Sequence, residues 1–292
     1  MPLLRDSIIE KLEGFSDLPS INETARRVQE QLYKSDDMSS GAAELGKIIE
    51  KDIGLTAKIL KIANSVYYGG KYGPIGNVGQ AVTRLGVEEV SKICTLVGSI
   101  QIFPDSSGAI DLKEFWKHSL GVAIVMRHIA DHSEKRLDCS YNAYSAGLFH
   151  DIGILVLNRY FPDVFKLALE TGKLEGLALH ESEKKVLGID HGEIGALICR
   201  KWRLPEEIAI AVAWHHTPDA SPEEGRELTQ LVHLANFTCS VLGMGEPGDM
   251  TVQMGSLGAW HDLGLDNCNL NSIAEDVEDG IAKSGVFVSL SL

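Results

Sequence analysis

The sequence has no long apolar run, no paired-cysteine motif and almost no alternating apolar–polar pattern, and each absence excludes a class of protein. No segment approaches the ~18 apolar residues that a membrane-spanning helix requires. The N-terminal stretch MPLLRDSIIEKLEG meets Arg5, Asp6, Glu10 and Lys11 before an apolar secretory core can form, so no secretory signal is expected. Cys94, Cys139, Cys199, Cys239 and Cys268 are far apart, odd in number and form no CxxC pair. That pattern fits reduced, mostly buried thiols in a cytoplasmic protein. Basic charge is also scarce: 27 Lys+Arg stand against 41 Asp+Glu, a formal charge of −14. Such a surface repels phosphate backbones and anionic headgroups, so neither nucleic acid nor membrane is expected as a partner. Internal repeats and low-complexity tracts are absent as well. The 44% apolar and 23% charged content is that of an ordinary globular chain, which excludes disorder and collagen-like structure.

What remains is helical periodicity. It predicts helices over residues 20–34, 41–51 and 54–67, with Ser20 and Asp52 as candidate caps. Two more follow over 77–85 and 87–101, split at Gly86. After the break Pro104-Asp105-Ser106-Ser107-Gly108, helices are predicted over 111–133, 139–159, 161–171, 176–186, 190–202, 205–216 and 224–242. Pro205 suits a first helical turn. Residues 244–267 read as irregular, 270–283 as an acidic helix, and 286–292 (VFVSLSL) as strand-like or frayed. The expected fold is all-α, an N-terminal helical bundle packed on a second one. Its divisions are 1–105, 106–243 and a partly irregular tail, 244–292, with a short helix.

All ten histidines lie after residue 117. His118, His150-Asp151, His191 and His215-His216 form an ordered series, each in a helical pattern. Imidazole and carboxylate are common ligands of Zn, Mn, Fe and Ni, and an adjacent His-Asp pair offers a nitrogen and an oxygen from one helix end. His150-Asp151 sits in the apolar run SAGLFHDIGILVL, where an unpaired His and Asp would cost several kcal/mol to bury. Glu114 precedes His118 by four residues and shares its helix face.

Other residues have structural readings. Asn64, Tyr67 and Tyr68 cap and pack a helix end rather than line a cleft. Trp116, Trp202 and Trp214 are core anchors at helical spacing. Asp190 caps the helix that starts at His191. His128, His132, His180 and His261 are surface residues, and Arg84 and Lys58 are solvated cations.

The segment AYSAGLFHDIGILVLNRY resembles the central motif of the HD superfamily of metal-dependent phosphohydrolases. LPSINETARRVQEQL, IIEKDIGLTAKILKIANSVYYGG and IGNVGQAVTRLGVEEVSKI resemble the HDOD domain, the HD-related output domain of bacterial signalling proteins. FWKHSLGVAIVMRHIA, HDIGILVL, IDHGEIGALICRKWRLPEEI and AVAWHH continue that pattern in order. The resemblance covers about residues 15–217 and stops before the tail.

The resemblance implies a metal site of Glu114, His118, His150, Asp151, His191, His215 and His216, of the kind that binds two or three metals in HD and HD-GYP hydrolases. Asp151 would be the catalytic residue if the chain were active. Three departures point away from hydrolysis. Ile154 stands where the HD-GYP pattern has a Lys available to neutralise phosphate. HHTPDASPEEG lacks the GYP signature. Asn236, a weak neutral ligand, stands nearest the place of a late Asp, with His233 one turn earlier as a substitute.

The implied function is a bacterial signal-transduction output module acting through protein contacts, with a residual site for one or two Fe, Mn, Ni or Zn ions. The alternatives are a metal-dependent phosphohydrolase on a nucleotide or phosphoester, and a non-hydrolysing nucleotide sensor. No organic cofactor is expected. The sequence does not name the partner protein.

Overall fold

The computed structural model describes residues 2–14, 23–34, 38–65, 68, 73–103, 108–133, 137, 140–245, 257–265 and 275. Ser20, the strand-like 286–292 and all of the acidic helix at 270–283 except Glu275 lie outside them. Among the described residues the regular structure is helical, without a strand. No helix among them is long and apolar enough to cross a membrane.

The chain divides into two compact units. One spans residues 19–104 with 282–292. Its helices are α2 (Glu23–Lys34), α3 (Met38–Ile49), α4 (Ile53–Ala63), α5 (Val78–Leu85) and α6 (Val87–Ile102). Asp52 caps α4 by accepting from the Leu55 N–H at 2.9 Å, as the sequence predicts. Gly86 separates α5 from α6 at φ +87°, a backbone conformation open to glycine. Asn64 ends α4, and its amide both donates to Ile75 O and accepts from Ile75 N–H, at 2.9 and 2.8 Å. Arg84 is not a free cation: its guanidinium donates to Ala63 O and Gly73 O, at 3.3 and 2.7 Å. Leu55, Ile59, Ile62, Val90, Ile93 and Val97 fill the core between these helices.

The other unit spans residues 1–18 and 105–281. It contains α1 (Pro2–Gly14), α7 (Leu112–His132), α8 (Ser140–Phe149), α9 (Ile152–Tyr160), α10 (Pro162–Glu175) and α11 (Leu179–Leu187). It continues with α12 (His191–Lys201), α13 (Glu206–Trp214), α14 (Arg226–Val241) and α15 (Leu257–Asp262). The grouping of α1 departs from the sequence reading, which places it with the N-terminal 105 residues. Its Ile8 and Leu12 are buried, its Arg5 pairs with Glu193 at 2.9 Å, and Lys201 donates to its Leu12 carbonyl.

Within this unit α7 packs on α8 and α14, α9 and α13 pack on α12, and α13 also meets α8 and α14. Asp111 caps α7 and Asp190 caps α12, each through a carboxylate oxygen. Gly188, at φ +77°, ends α11 and turns the chain directly into Asp190 and α12.

Three sequence expectations fail locally. Residues 139–159 are not one helix: α8 ends at Phe149, and Asp151, at φ −102° and ψ 10°, starts α9. The Gly147 carbonyl accepts from the His150 ring at 2.8 Å, so the helix end is tied by a side chain. Residues 257–262 form a short helix inside the stretch read as irregular. Trp116 and Trp202 are buried, but Trp214 is 37% exposed at the end of α13.

Candidate metal centre

The break between α8 and α9 aims the His150-Asp151 pair inward, where α7, α12 and the end of α13 bring four further imidazoles. Asp151 Oδ2 lies 3.0 Å from His150 Nε2 and 3.9 Å from His118 Nε2. Asp151 Oδ1 lies 3.3 Å from His191 Nε2 and 3.5 Å from His215 Nε2. His216 Nε2 is 2.8 Å from His191 Nε2. Two groups of ligand atoms result, Asp151–His191–His215–His216 and His118–His150–Asp151, each with all its atoms within 4.8 Å of one another. They share one carboxylate. His118, His150, Asp151, His191 and His215 are at most 3% exposed.

The orientation of each ring follows from its other nitrogen. His118 Nδ1 meets Met244 O at 3.1 Å, His150 Nδ1 meets Gly147 O at 2.8 Å, and His215 Nδ1 meets Val212 O at 2.7 Å. A carbonyl only accepts, so Nδ1 carries the proton and Nε2 presents its lone pair. His191 Nδ1 meets Glu183 Oε2 at 2.6 Å, which leaves its Nε2 facing Asp151.

This donor set fits a cation. The Nε2 atoms of His150 and His215 are buried without a hydrogen-bond partner although Asp151 is beside them. A lone pair and a carboxylate oxygen at that separation repel each other unless a positive charge stands between them. His118 Nε2 also faces Asn236 Oδ1, at 3.0 Å. The residues present would hold one or two ions through imidazole nitrogen and carboxylate oxygen, a set suited to Zn, Fe, Mn or Ni.

Protonation favours the same role at His118, His215 and His216, whereas His191 would have to release a proton to ligate. Burial, reinforced by the neighbouring His150, pushes His118 down to about 4. Burial and neighbouring imidazoles also depress His215 and His216, so these rings are neutral near pH 7 and able to ligate. Burial alone would raise Asp151, but His150 above all, with His191 and His215, holds it well below the usual carboxylate range. His191 is held above the usual imidazole range, against its burial, by Glu183 and Asp151.

The HDOD domain family matches residues 18–218. This chain belongs to the HDOD family. A solved HDOD domain protein of unknown function from Geobacter sulfurreducens is 23% identical, with a TM-score of 0.73 over 99% of this chain and 96% of that one. A protein of Shewanella amazonensis SB2B, provisionally named a phosphohydrolase, is 20% identical with a TM-score of 0.71, covering 96% and 97%. At these identities the likeness is one of fold. An uncharacterized protein of Treponema pallidum (strain Nichols) is 23% identical over 240 residues, 82% of this chain. The HDOD chain spans 45% of that relative's length.

Of the residues singled out from the sequence, His118, His150, Asp151, His191, His215 and His216 converge, and Asn236 lies against His118. Glu114 does not join them. It is about one-third exposed, and its Oε2 lies 3.5 Å from Lys117 Nζ. His233 does not replace a ligand either: its Nδ1 meets His215 O at 2.8 Å and steadies the turn after α13. His261 is exposed, as expected. His132's side chain lies outside the described residues. His128 and His180 are buried, contrary to the sequence reading, and the His180 ring stacks on His216 with centroids 4.1 Å apart.

Sequence reasoning also missed Glu183 and Met244. Met244 contributes only a backbone carbonyl, which carries no residue-type signal. Glu183 had one: it lies between Leu179 and Leu187 at four-residue intervals, on the buried face of α11.

Proposed function

We propose that this HDOD chain is a bacterial signal-transduction module that acts through contacts with a partner protein, its His/Asp cluster holding one or two divalent ions as a structural centre. The observation that carries this reading is the enclosure of the cluster. Among its converging residues, His216 alone is more than marginally exposed. Turnover requires substrate and water to reach the reacting atoms, whereas a structural centre needs only satisfied ligands. Ile154, 1% exposed, adds no positive charge for a phosphate, and Asn236 places a neutral amide beside His118.

A second reading, metal-dependent hydrolysis of a nucleotide or phosphoester, draws on the two ligand groups that share Asp151. Bound divalent ions would polarise a phosphoryl oxygen and acidify a water. In that reading His118, His150, His191, His215 and His216 orient the centre, and Asp151 holds its two halves together.

A screen of metal-loaded, untagged protein against nucleotides, cyclic dinucleotides and model phosphoesters separates the two. The structural reading expects tight metal retention and turnover no higher in the wild type than in His150→Ala. Robust hydrolysis lost in His150→Ala and in Asp151→Asn, with both variants folded, would overturn it in favour of the second.

A further inference from the structure

The two ligand groups are backed differently. On one side stand His191, His215, His216 and Asp151 Oδ1. Behind His191 lies Glu183, fully buried on α11. One of its oxygens, Oε2, accepts both the His191 backbone N–H at 2.8 Å and the ring Nδ1–H at 2.6 Å. That single atom fixes the first residue of α12 and the direction of its imidazole. The other oxygen, Oε1, is buried without a hydrogen-bond partner. A half-satisfied buried carboxylate is costly unless positive charge is close by.

On the other side stand His118, His150 and Asp151 Oδ2, one imidazole fewer. The groups behind them are neutral: the Met244 carbonyl behind His118 and the Gly147 carbonyl behind His150. The amide of Asn236 is neutral as well. A carboxylate that accepts from a ligand's far nitrogen makes that imidazole a stronger donor and locks its orientation. Loss of such a partner typically weakens metal binding 10–100-fold.

We propose that Glu183 is the positioning residue that makes the His191 side the tighter of two unequal metal half-sites, so that ions load there first and on the His118 side second. This rests on the metal-holding reading above. It concerns the order and affinity of loading, and neither depends on whether the chain turns over a substrate.

The test is a titration of chelator-stripped, untagged full-length protein with Co(II), followed by calorimetry and by the visible absorption of the bound ion. The wild type should take up two ions in resolved steps. Glu183→Gln keeps an acceptor for His191 but removes the charge. It should weaken the first step about 10–100-fold and leave the second within experimental error. A merely structural cap would lower thermal stability without this selectivity. His118→Ala should abolish the second step and retain the first at wild-type affinity, which keeps the inference testable should Glu183→Gln fail to fold. Equal affinities in wild type and Glu183→Gln, equal weakening of both steps, or loss of the tight step in His118→Ala would overturn the inference and leave the metal-holding reading standing. Failure of the wild type to bind Co(II) would overturn both.

Discussion

A neutral imidazole has one donor and one acceptor nitrogen, and in this cluster the donors of His118, His150, His191 and His215 are committed to carbonyls or to Glu183. What His118, His150 and His215 turn towards Asp151 is a lone pair, which a cation would satisfy, while His191, whose added proton Glu183 and Asp151 favour, would give that proton up on binding one. The residue types of this site were legible in the sequence, because an adjacent His and Asp in an apolar run need partners. The Asp190 cap was equally legible, since a carboxylate before a helical run is a local signal. Asp190 also pairs with Lys184 at 2.8 Å while itself buried. Asp190→Ala should therefore lower stability by about 1–2 kcal/mol, read as a shifted urea midpoint at unchanged slope. Glu183 was legible in principle, from its place on the apolar face of α11. Glu114 was misplaced because sharing a helix face with His118 does not fix where a flexible side chain points.

At the scale of elements, helix type and order follow from periodicity, but the ends and breaks that matter here do not. The apolar pattern runs unbroken through residues 139–159, whereas the chain leaves helical geometry at Asp151. Beside the local His150–Gly147 contact stand non-local ones: Asp151 meets imidazoles from α7, α12 and the end of α13, and no window of sequence contains them. The same packing explains Gly153. A Cβ built there would lie 2.0 Å from the His191 carbonyl oxygen, so α9 and α12 meet almost backbone to backbone. Gly195 on α12 also faces α13, where a Cβ would lie 2.7 Å from Val212 Cγ1, and it would stand 3.4 Å from Gly153 N on α9. Gly153→Ala should cost about 1–3 kcal/mol or more in a denaturant titration, since backbone cannot yield as a side chain can. It should also weaken metal retention, because His191 would be displaced. The conservative contrast is Gly46→Ala, where a Cβ meets nothing within 4 Å and a helical alanine should be neutral or slightly stabilising.

For the molecule as a whole, the sequence carried the all-α class and the order of the histidine positions, because both are patterns along the chain. It did not carry the grouping of α1 with the later helices, which rests on contacts nearly two hundred residues apart such as Arg5–Glu193. Convergence of the ligands is likewise a property of the fold. If ions bind the folded state only, removing them should destabilise the site-bearing unit by mass action. At a hundredfold excess over Kd the loss is about 2.7 kcal/mol, or roughly 5–10 °C in Tm for a unit of this size. Differential scanning calorimetry before and after chelation, with metal added back, reads that shift.

The buried cluster stands or falls as a metal centre on its metal content. Elemental analysis of untagged wild-type protein beside His150→Ala tests it most directly, since a polyhistidine tag would bind metal itself. Wild type should carry close to two equivalents of divalent transition metal per chain, and the folded variant, which lacks a ligand of the His118 side alone, about one. A well-folded wild type that carries no metal, and takes none up on addition, would contradict it.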